Sequence, residues 1–166
     1  MLKKLFLLLL VIAPLSMFAQ DKFAHVNYQD IFSKMPEIAG VQAKLKAKEE
    51  TIQKNAKAIE DEYTKKVQEY QALTAETSPS VRGDLEKQIQ QIQERFENFR
   101  QTSQVEVQQE QQSLIAPLHT KLQNAIKEVG DEHNYTYIFD SSSLLYVNPS
   151  ATDASKLVKA KVGITE

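Results

Sequence analysis

Three histidines are the side chains of this 166-residue sequence that could support metal or acid–base chemistry. His25, His119 and His133 lie far apart in the sequence, and no H-x-x-x-H pair or carboxylate cluster accompanies them. A strand-and-helix pairing of His25 with His133 is geometrically allowed, but isolated histidines are rarely zinc ligands. The sequence therefore predicts no metal site.

Acidic side chains occur in short clusters that lie among lysines, where solvated ion pairs on a helix surface are the ordinary outcome. A glycosidase-type pair of carboxylates would need a rigid cleft, which nothing in this pattern predicts. The chain has no cysteine and only four glycines, which excludes thiolate chemistry and a Gly-rich phosphate loop. We therefore predict that the protein is not an enzyme and has no catalytic residues and no cofactor. The clusters are Glu49-Glu50, Glu60-Asp61-Glu62 and Glu106.

The charge balance gives no general case for nucleic acid as a partner. Lys and Arg number 20 against 22 Asp and Glu, and removal of Lys3 and Lys4 with a leader leaves 18 against 22, a net charge of −4. Proteins that bind nucleic acid usually carry a basic excess.

Residues 1–19 have the pattern of a secretory signal peptide. Lys3 and Lys4 form a positive start, residues 5–13 form an apolar core, and cleavage is predicted after Ala19. The alternative is an uncleaved anchor, but the apolar run is too short to cross a bilayer core of about 30 Å comfortably. The pattern predicts an exported protein, in a bacterial periplasm.

A long helical pattern dominates the rest of the chain. Apolar residues recur mostly at steps of three, four or seven, which is typical of a coiled coil. Ser78 and Pro79 interrupt the pattern and suit a helix restart, so we predict helices over 37–77 and 79–133, folded as an antiparallel hairpin. An arm of about 40 residues would reach roughly 60 Å at 1.5 Å per residue. The predicted seam comprises Ile38, Val41, Leu45, Ile52, Ala56, Ile59, Tyr63, Val67, Tyr70, Leu73, Leu85, Ile89, Ile92, Phe96, Phe99, Leu114, Leu118, Leu122, Ala125, Ile126 and Val129.

The seam becomes polar between Gln101 and Gln112, where six glutamines and two glutamates leave only Val105 and Val107. Lost apolar burial removes about 25 cal/mol of stabilisation per Å². The segment is therefore expected to be soft, with a bend as one interpretation and a longer-spaced seam as the other.

Short strands are predicted at both ends of the chain. Residues 23–28 alternate between two faces, and 29–34 should form a short helical turn before Pro36. Residues 135–139 are rich in aromatic and β-branched side chains, and a turn at 140–143 would lead to a second hairpin strand at 144–147.

Helix ends near the C-terminus have local signals of their own. Asn134 is expected to end the long helix in the left-handed conformation, with Gly130 as the other candidate. Thr152 or Asp153 should cap a short last helix that carries Leu157, Val158 and Val162.

We therefore predict an α+β fold in which a long antiparallel coiled-coil hairpin is inserted into a small β-sheet body. The predicted boundaries are 1–19 for the signal peptide, 20–36 for the first part of the body, 37–133 for the arm with its tip near 77–83, and 134–166 for the rest of the body. Such a small sheet has exposed edges and little core, so several copies are expected to close one body.

The two ends of the chain resemble the Skp/OmpH family of periplasmic chaperones. Residues 24–27 followed by Ile31-Phe32 look like the family's first strand and short helix, and Pro36-Glu37 opens the long helix as in many members. The run 134–140 is similar to the family's C-cap, tyrosine and apolar strand ending in Asp, and 145–147 with Asp153 matches the second strand and the last helix cap. Ala154-Ser155 departs from the usual continuation of that cap.

This resemblance implies a homotrimer with a small β-barrel body and three hairpins that enclose a cavity. Its function would be that of an ATP-independent holdase, which binds unfolded outer-membrane β-barrel precursors and prevents their aggregation. The best-known members are strongly basic, and this chain departs from them because its mature charge is −4. The alternative is a structural or adaptor coiled coil of the cell envelope that binds folded partners.

Two groups of arm residues have both a structural and a functional interpretation. Heptad positions favour interhelical packing for four aromatic residues, and contact with a client is the second interpretation. A basic tip could touch a client or the membrane periphery, although such ends are more often simply solvated. The aromatic residues are Tyr63, Tyr70, Phe96 and Phe99, and the tip residues are Lys65, Lys66, Arg82 and Lys87.

Overall fold

The computed structural model describes residues 22–165, so the predicted signal peptide and its cleavage after Ala19 lie outside the described residues. These residues form two units: the body, residues 22–35 and 120–165, and the arm, residues 36–119. The elements are β1 (Phe23–Val26), α1 (Tyr28–Ser33), α2 (Glu37–Gln71), α3 (Pro79–His133), β2 (Tyr137–Asp140), a 3-10 turn (Ser141–Ser143) and α4 (Ser155–Val162).

The sheet of the body is built from the two ends of the described chain. Strands β1 and β2 pair in parallel, with Phe23 opposite Tyr137 and Val26 opposite Asp140. The other edge of β1 is covered near Asp153, where His25 N donates to Thr152 O at 3.0 Å and Ala154 N donates to His25 O at 2.9 Å. Strand β1 therefore lies in the middle of a short three-segment arrangement.

The prediction that residues 135–139 and 144–147 form two paired strands of a β-hairpin is wrong. Strand β2 begins at Tyr137 and pairs with β1, and residues 144–147 form no strand. A 3-10 turn follows β2 because the Asp140 carboxylate accepts the Ser142 amide at 3.1 Å, which directs the chain away from β2. The third segment of the sheet is the bridge at Asp153 instead.

Strand β1 also ends earlier than the predicted residue 28, since Asn27 caps helix α1. The Asn27 side chain accepts the Asp30 amide at 2.8 Å, which satisfies one of the unpaired donors at a helix start. At the other end of the body, Asp153 accepts the Ser155 amide at 2.8 Å directly before α4. Asn134 has φ 54° and follows the last residue of α3, as predicted.

The core of the body is drawn from β1, α1, α3 and α4 together with Met35, which makes up for the small sheet. Buried apolar side chains stabilise a fold in proportion to the area withdrawn from water. Helix α3 contributes a stripe at steps of three and four, typical of a helix with one apolar face. The buried residues are Ala24, Val26, Ile31, Phe32, Met35, Leu122, Ala125, Val129, Ala154, Val158 and Val162.

The arm is the predicted antiparallel hairpin of α2 and the 79–119 part of α3. Helix α2 ends at Gln71 rather than at the predicted Thr77, and the link 72–78 holds its own turns. Ser78 Oγ accepts the Val81 amide at 3.4 Å, in the predicted role of N-cap, and Arg82 donates to Thr74 O at 3.2 Å across the link. Helix α3 is continuous through 101–112.

Candidate functional site

The arm carries a long apolar seam that two helices alone leave half open. Within it, Val41, Ile92 and Leu118 are the buried apolar residues, whereas the other apolar seam residues are half-buried. Polar pairs fix the register of the two helices, with Lys48 Nζ 2.7 Å from Glu106 and an ion pair between Arg95 and Glu62. A partly wetted apolar stripe of this length is a surface on which another apolar molecule could lie.

A first cavity of about 230 Å³ opens between the helices at Tyr63, Ile92 and Phe96. Glu60 and Gln93 form its polar margin. Gln93 Nε2 donates to the Tyr63 hydroxyl at 3.1 Å, which holds the phenol at the edge of the cavity. An aromatic or aliphatic side chain could therefore enter against two rings and one aliphatic residue.

A second cavity, of about 380 Å³, opens elsewhere along the same hairpin. Small side chains explain the cavity, because Ala56 of the seam and the buried Ser103 line it where larger residues would fill the space. Ile52 and Phe99 form its apolar walls, together with Val107.

The predicted aromatic candidates therefore divide into two groups. Tyr63, Phe96 and Phe99 line cavities while remaining half-buried between the helices. Tyr70 instead belongs to the tip, where its hydroxyl is 2.5 Å from Glu86 and the Arg82 guanidinium lies 5.8 Å from the centre of its ring. The sequence predicted these residues as candidates, but it did not predict the cavities that three of them line.

The basic tip residues are partly paired within the chain. Lys66 Nζ lies 2.7 Å from Glu69, and Arg82 is held by the Thr74 carbonyl and the Tyr70 ring. The hydrogen bond from Lys66 is the largest of the influences that lower the pKa of Glu69. Contact of this tip with a membrane or a client stays a prediction.

The body presents an exposed aromatic face on one side of its sheet. Tyr137 stacks on both Phe23 and Phe139 with ring centres 5.9 Å apart, and the rings of Phe23 and Phe139 are tilted by 36° at 6.3 Å. They are 52%, 57% and 42% exposed, which is high for three neighbouring large aromatic residues. Sequence reasoning predicted that residues 23–28 alternate between two faces, but it did not identify this face as a surface.

The segment after the 3-10 turn adds further apolar surface to the body. Leu145 and Tyr146 are 108% and 74% exposed, and Leu144 is also exposed. Tyr146 and Leu144 line a cleft of about 170 Å³ with Phe23 and Phe139, so this segment lies next to the three stacked or tilted rings. We call Phe23, Tyr137, Phe139 and 144–146 together the aromatic face.

Two aspartates of the body, Asp140 and Asp153, accept hydrogen bonds that lower the pKa of their carboxyl groups. The Ser142 hydroxyl is the largest influence on the pKa of Asp140, which is lowered although partial burial opposes it. Burial is the largest influence at Asp153 and opposes ionisation, but hydrogen bonds from Ser155 and the charges of His25 and Lys159 outweigh it and lower the pKa of Asp153.

The three histidines lie in different local environments. His25 lies in β1 opposite Asp153, His133 stacks on Tyr135 at 5.8 Å, and His119 lies in the arm. Among residues 22–165, no group of three or more His, Asp or Glu side chains is placed to hold a metal ion. Within the same range, no helix has both the length and the hydropathy of a membrane span.

Comparison with known proteins places this architecture in a family. The model of the family described as "Outer membrane protein (OmpH-like)" matches residues 22–162. The chain belongs to the OmpH-like family. The fold is similar to that of a solved OmpH-like structure from Caulobacter crescentus CB15, with a TM-score of 0.76. The match covers 87% of this chain and 85% of that one. Because the two sequences are only 14% identical, this likeness shows the fold alone.

Two relatives that are similar in sequence carry the same name. The protein called Chaperone protein Skp in Blochmanniella pennsylvanica is 26% identical over 145 residues, covering 87% of each chain. The protein of the same name in Pectobacterium atrosepticum is 24% identical over 139 residues, covering 84% of each chain. The named relatives of this OmpH-like protein are chaperones rather than enzymes.

Proposed function

We propose that this OmpH-like protein is an ATP-independent holdase that binds unfolded outer-membrane β-barrel precursors, here called clients, and keeps them from aggregating. The observation that carries the proposal is the half-open apolar seam of the arm with the two cavities that both helices line. Many shallow apolar contacts suit an unfolded chain, which has no fixed shape to complement. Binding lowers the free client concentration, so mass action opposes aggregation.

The place of action that we propose is the bacterial periplasm. The pattern of residues 1–19 supports export, with cleavage after Ala19 leaving a mature chain of net charge −4. This charge gives no long-range attraction for acidic clients. Apolar contact rather than charge therefore carries the proposed binding.

We further propose that the working form is a homotrimer assembled through the aromatic face of the body. Within the described residues, β2 pairs with β1 on one side and with no strand on the other, and an unpaired edge invites pairing with another chain. Stacked exposed rings beside that edge favour burial between copies. Family membership supports three copies, whose arms would together hold the client.

The experiment that tests both proposals is the native mass of the mature protein, alone and after addition of a urea-unfolded outer-membrane β-barrel protein. We expect a trimer that shifts to a one-to-one complex of trimer and client, and suppressed light scattering from the client at stoichiometric ratio. Unchanged aggregation of the client would refute the holdase. Capture of a folded envelope partner without affinity for the unfolded barrel would favour an adaptor instead.

The matched variants for the assembly step are Tyr137→Lys and Tyr135→Lys. Tyr137 belongs to the aromatic face and is 57% exposed, whereas Tyr135 is half-buried beside His133 and outside that face. A lysine at 137 should lower the native mass, because a charge would be buried between copies. An unchanged trimer in Tyr137→Lys would place the assembly surface elsewhere.

A further inference from the structure

Two cavities of the arm are lined from both helices, and they open on the same face of the hairpin. Another cavity, of about 380 Å³, is lined by α3 alone, at Gln101, Thr102, Val105 and Glu106. On α2, Gln53 lines the second cavity and Glu60, seven residues later, lines the first. On α3, Gln93 lines the first cavity and Arg100, again seven residues later, lines the second. Residues seven apart on a helix point in nearly the same direction, with a drift of about 20°. One molecule lying along this face could therefore reach both cavities.

The spacing of the cavities along the hairpin is the same when measured on either helix. The residues that line the second cavity are centred about nine positions from those that line the first, both on α2 and on α3. At 1.5 Å of rise per residue, nine positions correspond to ~13.5 Å.

We propose that the two cavities together bind an extended client segment through the side chains of its residues i and i+4. An extended chain rises about 3.4 Å per residue, so residues four apart are ~13.6 Å apart, and they project from the same face. The cavity spacing therefore matches an extended chain at the fourth residue. This inference rests on the proposed holdase function and names the feature of the client that the arm selects.

The chemistry of transmembrane β-strands suits such a site. Their sequences alternate, with apolar side chains on the lipid face at i, i+2 and i+4 and polar side chains between. Such a segment can place two apolar side chains in the cavities while its polar residues face water. A client segment in helical conformation would need apolar residues nine apart, and residues three apart in an extended chain point to opposite faces.

The margins of the cavities add groups that can pair with an extended backbone. Gln53 and Gln104 border the second cavity, and Gln93 borders the first. A glutamine amide offers both a donor and an acceptor, as the main chain of an unpaired strand does. Arg100 and Glu49 place one charge of each sign at the second cavity, and Glu60 adds a negative charge at the first. The two cavities together therefore favour a basic client segment over an acidic one only slightly, because salt screens exposed charges.

The direct test uses two peptides of identical composition with the mature protein. Each has twelve residues of serine, threonine and lysine with two phenylalanines, placed at i and i+4 in one peptide and at i and i+3 in the other. Fluorescence anisotropy measures their dissociation constants. We expect the i,i+4 peptide to bind about tenfold more tightly, because only it buries both rings. Equal affinities would overturn the proposal.

A matched pair of variants locates the site. Ala56→Trp puts a large side chain into the second cavity, which Ala56 lines, whereas Ala58→Trp makes the same change at an exposed position two residues later. In Ala56→Trp the i,i+4 peptide should fall to the affinity of the i,i+3 peptide, with no change in Ala58→Trp. Circular dichroism and native mass test whether both variants fold and assemble as the parent does.

The outcomes separate this inference from the holdase proposal. If the mature protein holds full-length unfolded barrel but does not distinguish the two peptides, the inference fails and the holdase stands. If it binds neither the barrel nor the peptides, the holdase itself fails. If Ala56→Trp lowers the native mass without changing the preference between peptides, a second copy of this chain covers the second cavity and the inference is wrong.

Discussion

Replacing Asp140 with alanine should destabilise the body more than the loss of one exposed carboxylate would suggest. Asp140 ends β2, and its Oδ1 accepts the Tyr28 amide at 3.3 Å and the Ser142 amide at 3.1 Å. Its Oδ2 accepts the Ser142 hydroxyl at 2.7 Å. The side chain therefore joins the end of β2 to the start of α1 and to the 3-10 turn.

The magnitude follows from the bonds that would be lost. Removing a side-chain acceptor of the capping kind costs ~0.5–2 kcal/mol, and a hydrogen bond of ordinary geometry contributes about 1 kcal/mol. Partial exposure of Asp140 lets water replace some of these contacts. We expect Asp140→Ala to lower the free energy of unfolding by about 2 kcal/mol, and Asp140→Asn, which keeps one oxygen acceptor, by about 1 kcal/mol.

The destabilisation caused by Asp140→Ala should depend on pH, and the direction of this dependence can be predicted. The pKa of Asp140 is lowered in the folded state, first by the Ser142 hydroxyl. Its ionised form therefore stabilises the fold fully above the unfolded pKa of about 3.9, and the contribution is lost as pH falls through the lower folded value. The difference between parent and Asp140→Ala should accordingly be largest at neutral pH and shrink below about pH 4.

Urea unfolding at one protein concentration measures these differences, because self-association would otherwise add to the apparent stability. Asp131→Ala is the matched control, since Asp131 is an exposed carboxylate of the same unit. A loss below about 0.5 kcal/mol in Asp140→Ala, the range of ordinary surface substitutions, would refute the role of the carboxylate. So would a loss that is the same at pH 3 and pH 7.

Two further predictions concern the helices. Gly40→Ala should raise the free energy of unfolding by about 0.5–1 kcal/mol, because Gly40 is a helical residue near the start of α2 and a Cβ there meets nothing within 4 Å. Gly163→Ala should lower the free energy of unfolding by roughly 1 kcal/mol, because Gly163 has φ 87°. Thermal unfolding of both variants measures these two changes. Amide hydrogens of residues 101–112 should exchange faster than those of residues 89–99. The reason is that the packing between the helices at 101–112 includes Ser103 and little apolar area. Equal protection of the two ranges would contradict a soft segment.

The long helices and their ends could be predicted from the sequence because their signals are local. Steps of three and four specify one face of a helix regardless of what packs against it. Ser78 and Pro79 mark the start of α3, and Asn134 with φ 54° marks its end. The end of α2 at Gln71 was missed, since the residues up to Thr77 contain no strong helix breaker to signal the link.

The cavities of the arm could be predicted only in part. Heptad spacing places Tyr63, Phe96 and Phe99 at the seam, but it does not say how well the facing helix fills the space beside them. The missing signal is side-chain volume, since Ala56 and Ser103 leave the second cavity open. Ala56 belongs to the predicted seam, so its small side chain was a signal in the sequence, whereas Ser103 lies outside the predicted seam and only the structure shows that it is buried.

The wrong strand at 144–147 and the exposed aromatic face have one physical explanation. β-Propensity measures how well side chains suit a pleated, half-buried surface, so a strand forms only where a partner covers it. In a single copy, Leu145 and Tyr146 are exposed beside Phe23 and Phe139, and no strand lies next to them for pairing among the described residues. In the proposed trimer, a neighbouring copy would supply that partner. The residues that misled the single-chain prediction are thus the ones on which we expect assembly to depend.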